Sequence, residues 1–170
     1  MRCCCGRSLR VSSYGMHYPS KVPDVLVRDA TDDDAADIAA LLGELGYPAD
    51  PRDVPSRLRS VRSEGGAVVV VVDASGAVLG VMSLTRHAAL HSAARTAYIT
   101  ALVTARSARR RGVGRMLVEE AKKWAREAQC NRLTLTSAER RSDAHAFYPS
   151  CGLPYTGRRF ATPISDLENP

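Results

Sequence analysis

The chain has 170 residues, 45% of them hydrophobic, and a formal net charge of +6. That is material for one compact core and little more. No apolar run approaches the roughly 20 residues a membrane-spanning helix needs. Aromatic residues make up only 5% of the chain, too few to interleave with basic side chains along a nucleic-acid groove, so a small polyanion is the better-fitting partner.

Residues 1–23 carry Ser, Gly and basic side chains without periodicity and read as a disordered N-terminal extension. They lack an apolar stretch of signal-peptide length, and Met16 is an alternative start. Cys3, Cys4 and Cys5 are adjacent, whereas zinc ligands are spaced apart, so no metal is expected. Five cysteines without an export signal point to a reduced, cytoplasmic protein. From residue 25 the pattern changes. Residues 25–31 read as a strand, and Thr31 followed by Asp32, Asp33 and Asp34 reads as a helix start, because carboxylates favour the positive helix end. Ile38, Leu41, Leu42 and Leu45 continue at helical spacing until Gly46-Tyr47-Pro48 stops the run. A charged helix follows over residues 52–64. Residues 67–72 are too apolar for a half-exposed strand and are expected to be covered on both faces. Asp73-Ala74-Ser75-Gly76 turns the chain into a strand over 78–84, and residues 96–103 form another. Val113, Met116, Leu117, Ala121, Trp124 and Ala128 recur at helical spacing. Residues 133–136 read as a strand, 143–148 as a short helix, and 155–161 as a last strand.

The chemistry concentrates in Arg109-Arg110-Arg111-Gly112-Val113-Gly114-Arg115, between a strand and a helix. Free backbone N–H groups at a helix N-terminus, reinforced by the helix dipole, make an anion site. Gly112 and Gly114 let a phosphate approach the backbone closely, and the arginines add mobile positive charge. Gly114-Arg115-Met116 lacks the Lys-Ser/Thr ending of a P-loop, and Leu117 stands where a dinucleotide fingerprint needs its third glycine. The remaining match is Arg109-x-x-Gly112-x-Gly114. It resembles the Gln/Arg-x-x-Gly-x-Gly/Ala motif with which GCN5-related N-acetyltransferases (GNAT) cradle the pyrophosphate of acetyl coenzyme A. A basic, solvated helix start is the competing account. The order of strand, motif, helix, strand and then Phe147-Tyr148 favours the family.

The resemblance covers roughly residues 25–162. It implies an α/β domain over residues 24–164, with a mixed, mostly antiparallel sheet and helices on both faces, and a short tail at 165–170. It also implies acetyl transfer directly from acetyl-CoA to an amine. In such enzymes the strand before the loop pairs through its backbone with the pantetheine arm. Here that points to Leu102, Val103 and Thr104, with the Val103 N–H near the thioester oxygen. Arg109, Arg110, Arg111, Gly112, Val113, Gly114 and Arg115 would hold the pyrophosphate, and Arg141 stands near a position that contacts coenzyme in relatives. Tyr148 matches the family's tyrosine that protonates the departing thiolate, although Pro149 directly after it is expected to stop the helix early and Leu153 replaces an aromatic after Gly152. Thr100 occupies the position where many relatives carry a basic glutamate. His87 and His91 are therefore the candidate bases, with His91 the one singled out, set against a plainly solvated loop or an amine that arrives neutral. The acceptor expected from the resemblance is a small primary amine, the alternatives being protein amines or a non-catalytic coenzyme-binding module. Relatives also form homodimers through the sheet edge or the C-terminal strand, to which Arg158-Arg159-Phe160-Ala161 would belong.

Overall fold

The computed structural model describes residues 24–164; the expected N-terminal extension and the 165–170 tail lie outside the described residues. The chain divides into two compact units, the first ending at Leu135 and the second beginning at Thr136.

The first unit is built on a five-stranded sheet. Its strands are β1 (Leu26–Asp29), β2 (Ala67–Val72), β3 (Val78–His87), β4 (Arg95–Thr104) and β5 (Cys130–Leu135), lying side by side in that order. The first four run antiparallel and β5 runs parallel to β4, as the crossover through an intervening helix requires. Three helices cover the sheet: α1 (Ala35–Leu45), α2 (Val54–Ser63) and α3 (Val113–Glu127). Every residue of β2 is buried. Alternation explains how. Ala67, Val69 and Val71 pack in the cluster that holds Met116, Leu117, Ala121 and Trp124 of α3. Val68, Val70 and Val72 pack in the cluster that holds Ile38 and Leu41 of α1 and Val54 and Leu58 of α2. A strand buried on both faces needs no polar alternation.

The entry to α1 is fixed by charge. The Asp34 carboxylate accepts two hydrogen bonds from the Arg28 guanidinium, each 2.7 Å, and one from the Thr31 N–H at 2.7 Å. The Thr31 hydroxyl donates to the same carboxylate at 3.1 Å, so Thr31 acts here as a donor. The Arg28 hydrogen bonds in particular hold the Asp34 carboxyl below the ordinary aspartate range. Arg62 of α2 donates to the Ala30 carbonyl and ties the second helix to the same corner. Gly46, with φ of +98°, ends α1. Asp37 of α1 accepts from the Val78 N–H at 3.1 Å, anchoring the helix to the start of β3.

The second unit carries α4 (Ser142–Ser150). Pro149 does not stop this helix early: it lies inside the last turn, and the helix runs one residue beyond it. The chain then turns through Gly152, φ +78°, with the Cys151 and Leu153 N–H groups both donating to the Tyr148 carbonyl. The expected strand over 155–161 does not form. Pro154 and Gly157 lie within or beside that stretch and are poor strand residues. The stretch is exposed, Tyr155 and Phe160 included, and Arg159 donates to the Thr136 hydroxyl at 3.2 Å. Among the described residues, no helix is long and apolar enough to cross a membrane.

Gly80 of β3 is where α3 presses closest on the sheet. A methyl group there would sit 2.9 Å from Val113 Cγ1 and 3.1 Å from the Val103 carbonyl oxygen. Gly80→Ala should therefore destabilise the protein by about 1–3 kcal/mol, read as a lower midpoint in urea with an unchanged denaturant slope. An unchanged midpoint would mean that the packing of α3 on β3 is loose.

Candidate functional site

The two central strands separate part-way along their length. β5 pairs with β4 only from Arg95 to Ile99, and its own last paired residue is Leu135. Beyond Ile99, residues Ala101–Thr104 remain paired with β3 on one side, and no described strand pairs with the other. The cause is visible in the β3–β4 register. Ser83 pairs with Ala101 and Leu84 with Ile99, so Thr100 is an extra residue, a bulge. Bulges bend and twist the strand that carries them. This one also exchanges the faces of the strand: Ile99 packs on the α3 side and Val103, four residues on, on the α1–α2 side. The Thr100 hydroxyl donates to the Ser83 carbonyl at 3.2 Å and bridges the interrupted ladder.

The phase of the ladder decides which backbone groups face the gap. The Ala105 N–H donates to the Leu79 carbonyl at 2.9 Å. In an antiparallel ladder alternate residues face the same way, so Val103, opposite Val81, also turns its N–H and C=O toward β3. Leu102 and Thr104 turn theirs toward the open side. The expectation that the Val103 N–H faces the gap is thus corrected by one residue: its neighbours carry the free edge.

That open edge leads directly into the arginine loop. After a short turn at Arg106–Ala108, the backbone passes through Arg110 at φ +61° and Gly112 at φ +97° before α3 begins at Val113. Two left-handed residues so close together fold the chain back on itself. Glycine adopts that conformation without penalty; arginine does so at a cost. Gly112 caps α3 with no side-chain hydrogen bond, and the Met116 N–H makes the first bond back to its carbonyl at 3.1 Å. The N–H groups of Val113 and Gly114, at the very start of the helix, precede any residue able to accept from them within it, the arrangement that attracts anions. Arg106, Arg109, Arg110, Arg111 and Arg115 are all exposed around it. A backbone edge with free hydrogen-bonding groups, continuous with a cationic turn, fits an extended ligand that ends in phosphates.

Two carboxylates left out of the site by sequence reasoning interact with the charges of this loop. Glu44, near the end of α1, accepts from the Arg106 N–H at 3.0 Å and stands 3.9 Å from the Arg106 guanidinium and 3.8 Å from that of Arg109. Asp73, in the β2–β3 turn, is held below the ordinary aspartate range chiefly by the Ser75 hydroxyl, with a smaller contribution from the Arg111 charge. Nothing local marks Glu44 in the sequence, since its partner lies 62 positions away.

The candidate bases lie elsewhere. His87 pairs with Thr96, at the opposite end of β4 from the gap, and Thr96 stands four strand positions from Thr100, roughly 13 Å. His91 is exposed in the loop that joins β3 to β4. In the second unit, Tyr148 is buried on α4 with its ring edge-on to Phe147, centroids 5.2 Å apart. Burial pushes the Tyr148 phenol up from its ordinary value, more than the Arg141 charge pulls it down. Arg141 itself precedes α4 and accepts the Ala144 and His145 N–H groups on its carbonyl, each at 3.1 Å. Among the described residues, no group of three or more His, Cys, Asp or Glu side chains gathers as a metal site would require.

Comparison with known proteins agrees with this geometry. The model of the acetyltransferase (GNAT) family matches residues 35–153. The uncharacterized N-acetyltransferase YhdJ of Bacillus subtilis (strain 168) is 43% identical over 51 residues, 30% of this chain and only 36% of that protein. An acetyltransferase of Trypanosoma brucei superposes with a TM-score of 0.72 at 22% identity, over 82% of this chain and 99% of its own. Glucosamine-6-phosphate N-acetyltransferase from Arabidopsis thaliana gives 0.72 at 17% identity, over 82% and 98%. These structural likenesses establish the fold.

Gly112→Val tests the turn. A β-branched residue at φ +97° is strained by about 1–3 kcal/mol. The variant should stay folded with a lowered melting temperature and bind coenzyme A at least about tenfold more weakly by calorimetry. Equal affinity would separate the turn from anion binding.

Proposed function

The chain belongs to the acetyltransferase (GNAT) family, and from that premise we propose that it transfers an acetyl group from acetyl-CoA to the primary amine of a small molecule. The observation that carries this reading is the open edge of β4 at Leu102 and Thr104 running into the cationic turn at Gly112. Acetyl-CoA supplies an activated thioester carbonyl. The protein's task is to hold it, to polarise it and to return a proton to the sulfur.

The Leu102 and Thr104 backbone groups pair with the pantetheine arm as a further strand would, and an N–H from this edge lies against the thioester oxygen. A donor so placed is worth about 10²–10³ in rate. The N–H groups of Gly112, Val113, Gly114 and Arg115, with the guanidinium groups of Arg109, Arg110, Arg111 and Arg115, neutralise the pyrophosphate. Arg141 adds a positive charge for the coenzyme. Fixing both substrates removes much of the entropic barrier to direct attack, so no covalent intermediate on the enzyme is needed.

Tyr148 is the acid in this scheme. Its raised pKa keeps the phenol protonated at neutral pH, and a phenol is well matched to a thiolate leaving group. No side chain takes the role of base. Thr100 holds the corresponding position, and its proton is already engaged with Ser83. The amine therefore loses its proton to water before attack. Localisation in the cytoplasm fits the supply of acetyl-CoA. A small acceptor is favoured by the family analogy, which is an argument from likeness.

Coenzyme A release from acetyl-CoA, followed by thiol detection across a panel of aminoalkylphosphonates, aminoglycosides, polyamines, amino acids and short peptides, tests the reading. One class of small amine should support turnover, and Tyr148→Phe should lower kcat by about 10²–10³ with little change in KM. Turnover with peptides alone would move the acceptor to protein amines, and coenzyme binding without any turnover would leave a binding module.

The pH profile carries a second prediction. Because the amine deprotonates in solution, kcat/KM should rise toward the pKa of the amine, with no fall through the ordinary tyrosine range, since burial raises the Tyr148 phenol above it. His87→Gln and His91→Gln should leave it within about twofold, whereas loss of a general base costs about 10²–10⁴.

A further inference from the structure

Glu44 stands at ion-pair distance from two arginines of the loop, and the acetyl-transfer scheme leaves it without a role. It sits near the C-terminal end of α1, with its side chain 28% exposed. The same Oε2 atom accepts the Arg106 N–H at 3.0 Å and lies 3.9 Å and 3.8 Å from the Arg106 and Arg109 guanidinium groups. These contacts differ in kind. The backbone hydrogen bond is short and directional, and it fixes the start of the turn that leads to Gly112. The two guanidinium contacts are longer than hydrogen bonds and half-solvated, so they are charge pairing that a stronger anion can displace.

We propose that Glu44 is a displaceable counter-ion of the coenzyme site: it anchors the loop through the Arg106 N–H and holds Arg109 until a pyrophosphate replaces it. This inference rests on the reading of the loop as the pyrophosphate site. Three arguments support it. Five arginines within ten residues repel one another, and the Glu44 carboxylate beside Arg106 and Arg109 eases that repulsion in the free protein. Arg109, the first residue of the motif, lies beside Glu44 together with Arg106, so ligand and carboxylate compete for the same guanidinium. A diphosphate brings more charge than a carboxylate and also engages backbone N–H groups that Glu44 does not reach, so it wins the exchange, whereas a simple monovalent anion gains little. Glu44 thereby trades affinity for selectivity and for release of the spent coenzyme.

The two functions separate by substitution. Glu44→Gln keeps an oxygen acceptor for the Arg106 N–H and removes the charge. Glu44→Ala removes both. Coenzyme A binding by titration calorimetry, repeated over a series of salt concentrations, is the readout, with thermal melting as the control for folding. Glu44→Gln should bind coenzyme A about three- to tenfold more tightly than the native chain, and with a steeper salt dependence, because more unpaired positive charge meets the ligand. Glu44→Ala should bind more weakly than Glu44→Gln, since the loop start is no longer tied. Native protein that binds coenzyme A while Glu44→Gln binds no more tightly and with the same salt slope overturns the counter-ion role and leaves the site intact. Native protein that fails to bind coenzyme A overturns both the site and this inference.

Discussion

The constraint on which the site depends is the loss of pairing between β4 and β5 after Ile99. A sheet that kept its hydrogen bonds would have no free edge in its middle, and the anion turn would sit at the end of a closed ladder. The bulge at Thr100 produces the change of direction. It costs one residue of register, bridged by the Thr100 hydroxyl, and it exposes the strand edge at Leu102 and Thr104. Such an edge is normally a liability, since any extended chain can pair with it. Here it lies next to a cationic turn, and the same property suits the amide-bearing pantetheine arm that the proposed function places there.

The rest of the first unit holds that opening steady. β2, covered on both faces, is the fixed centre to which β3 is registered. The absence of a side chain at Gly80 brings the start of α3 down onto β3, and that contact sets the height of the Gly112 turn above the sheet. On the other face, the Arg28–Asp34 pair and the Asp37–Val78 bond orient α1. The end of that helix delivers Glu44 to the loop. The site is thus assembled from elements far apart in sequence, each placed by burial or by a partly buried charge.

Much of this was legible beforehand. The valine run, the helix stop at Gly46 and the glycine turn before α3 are local signals, and the structure follows them. Three features were not. The bulge at Thr100 depends on pairing between strands, and no residue type announces it; nor does the sequence reveal that Leu102 and Thr104, rather than Val103, turn their backbone groups to the open side. Glu44 is an ordinary polar residue on an amphipathic helix until tertiary packing brings the loop beside it. The stretch after Gly152 has the aromatic and β-branched content of a strand, yet Pro154 and Gly157 weaken it. Pro149 illustrates the reverse case: a helix breaker is tolerated in a last turn, where few hydrogen bonds remain to be lost.

The valine strand has one more consequence, which concerns the chain once it has lost its fold. Val68 to Val72 are five successive β-branched residues without charge, harmless while α1, α2 and α3 cover them. Released together, they form a segment with high strand propensity, no proline and no charge inside it, the composition that stacks between molecules. Gly65, Gly66 and Asp73 at its ends are the nearest residues that resist such stacking. Heating past the transition therefore drives this protein toward association rather than reversible unfolding, and its persistence at high temperature is governed by how slowly the helices leave that strand.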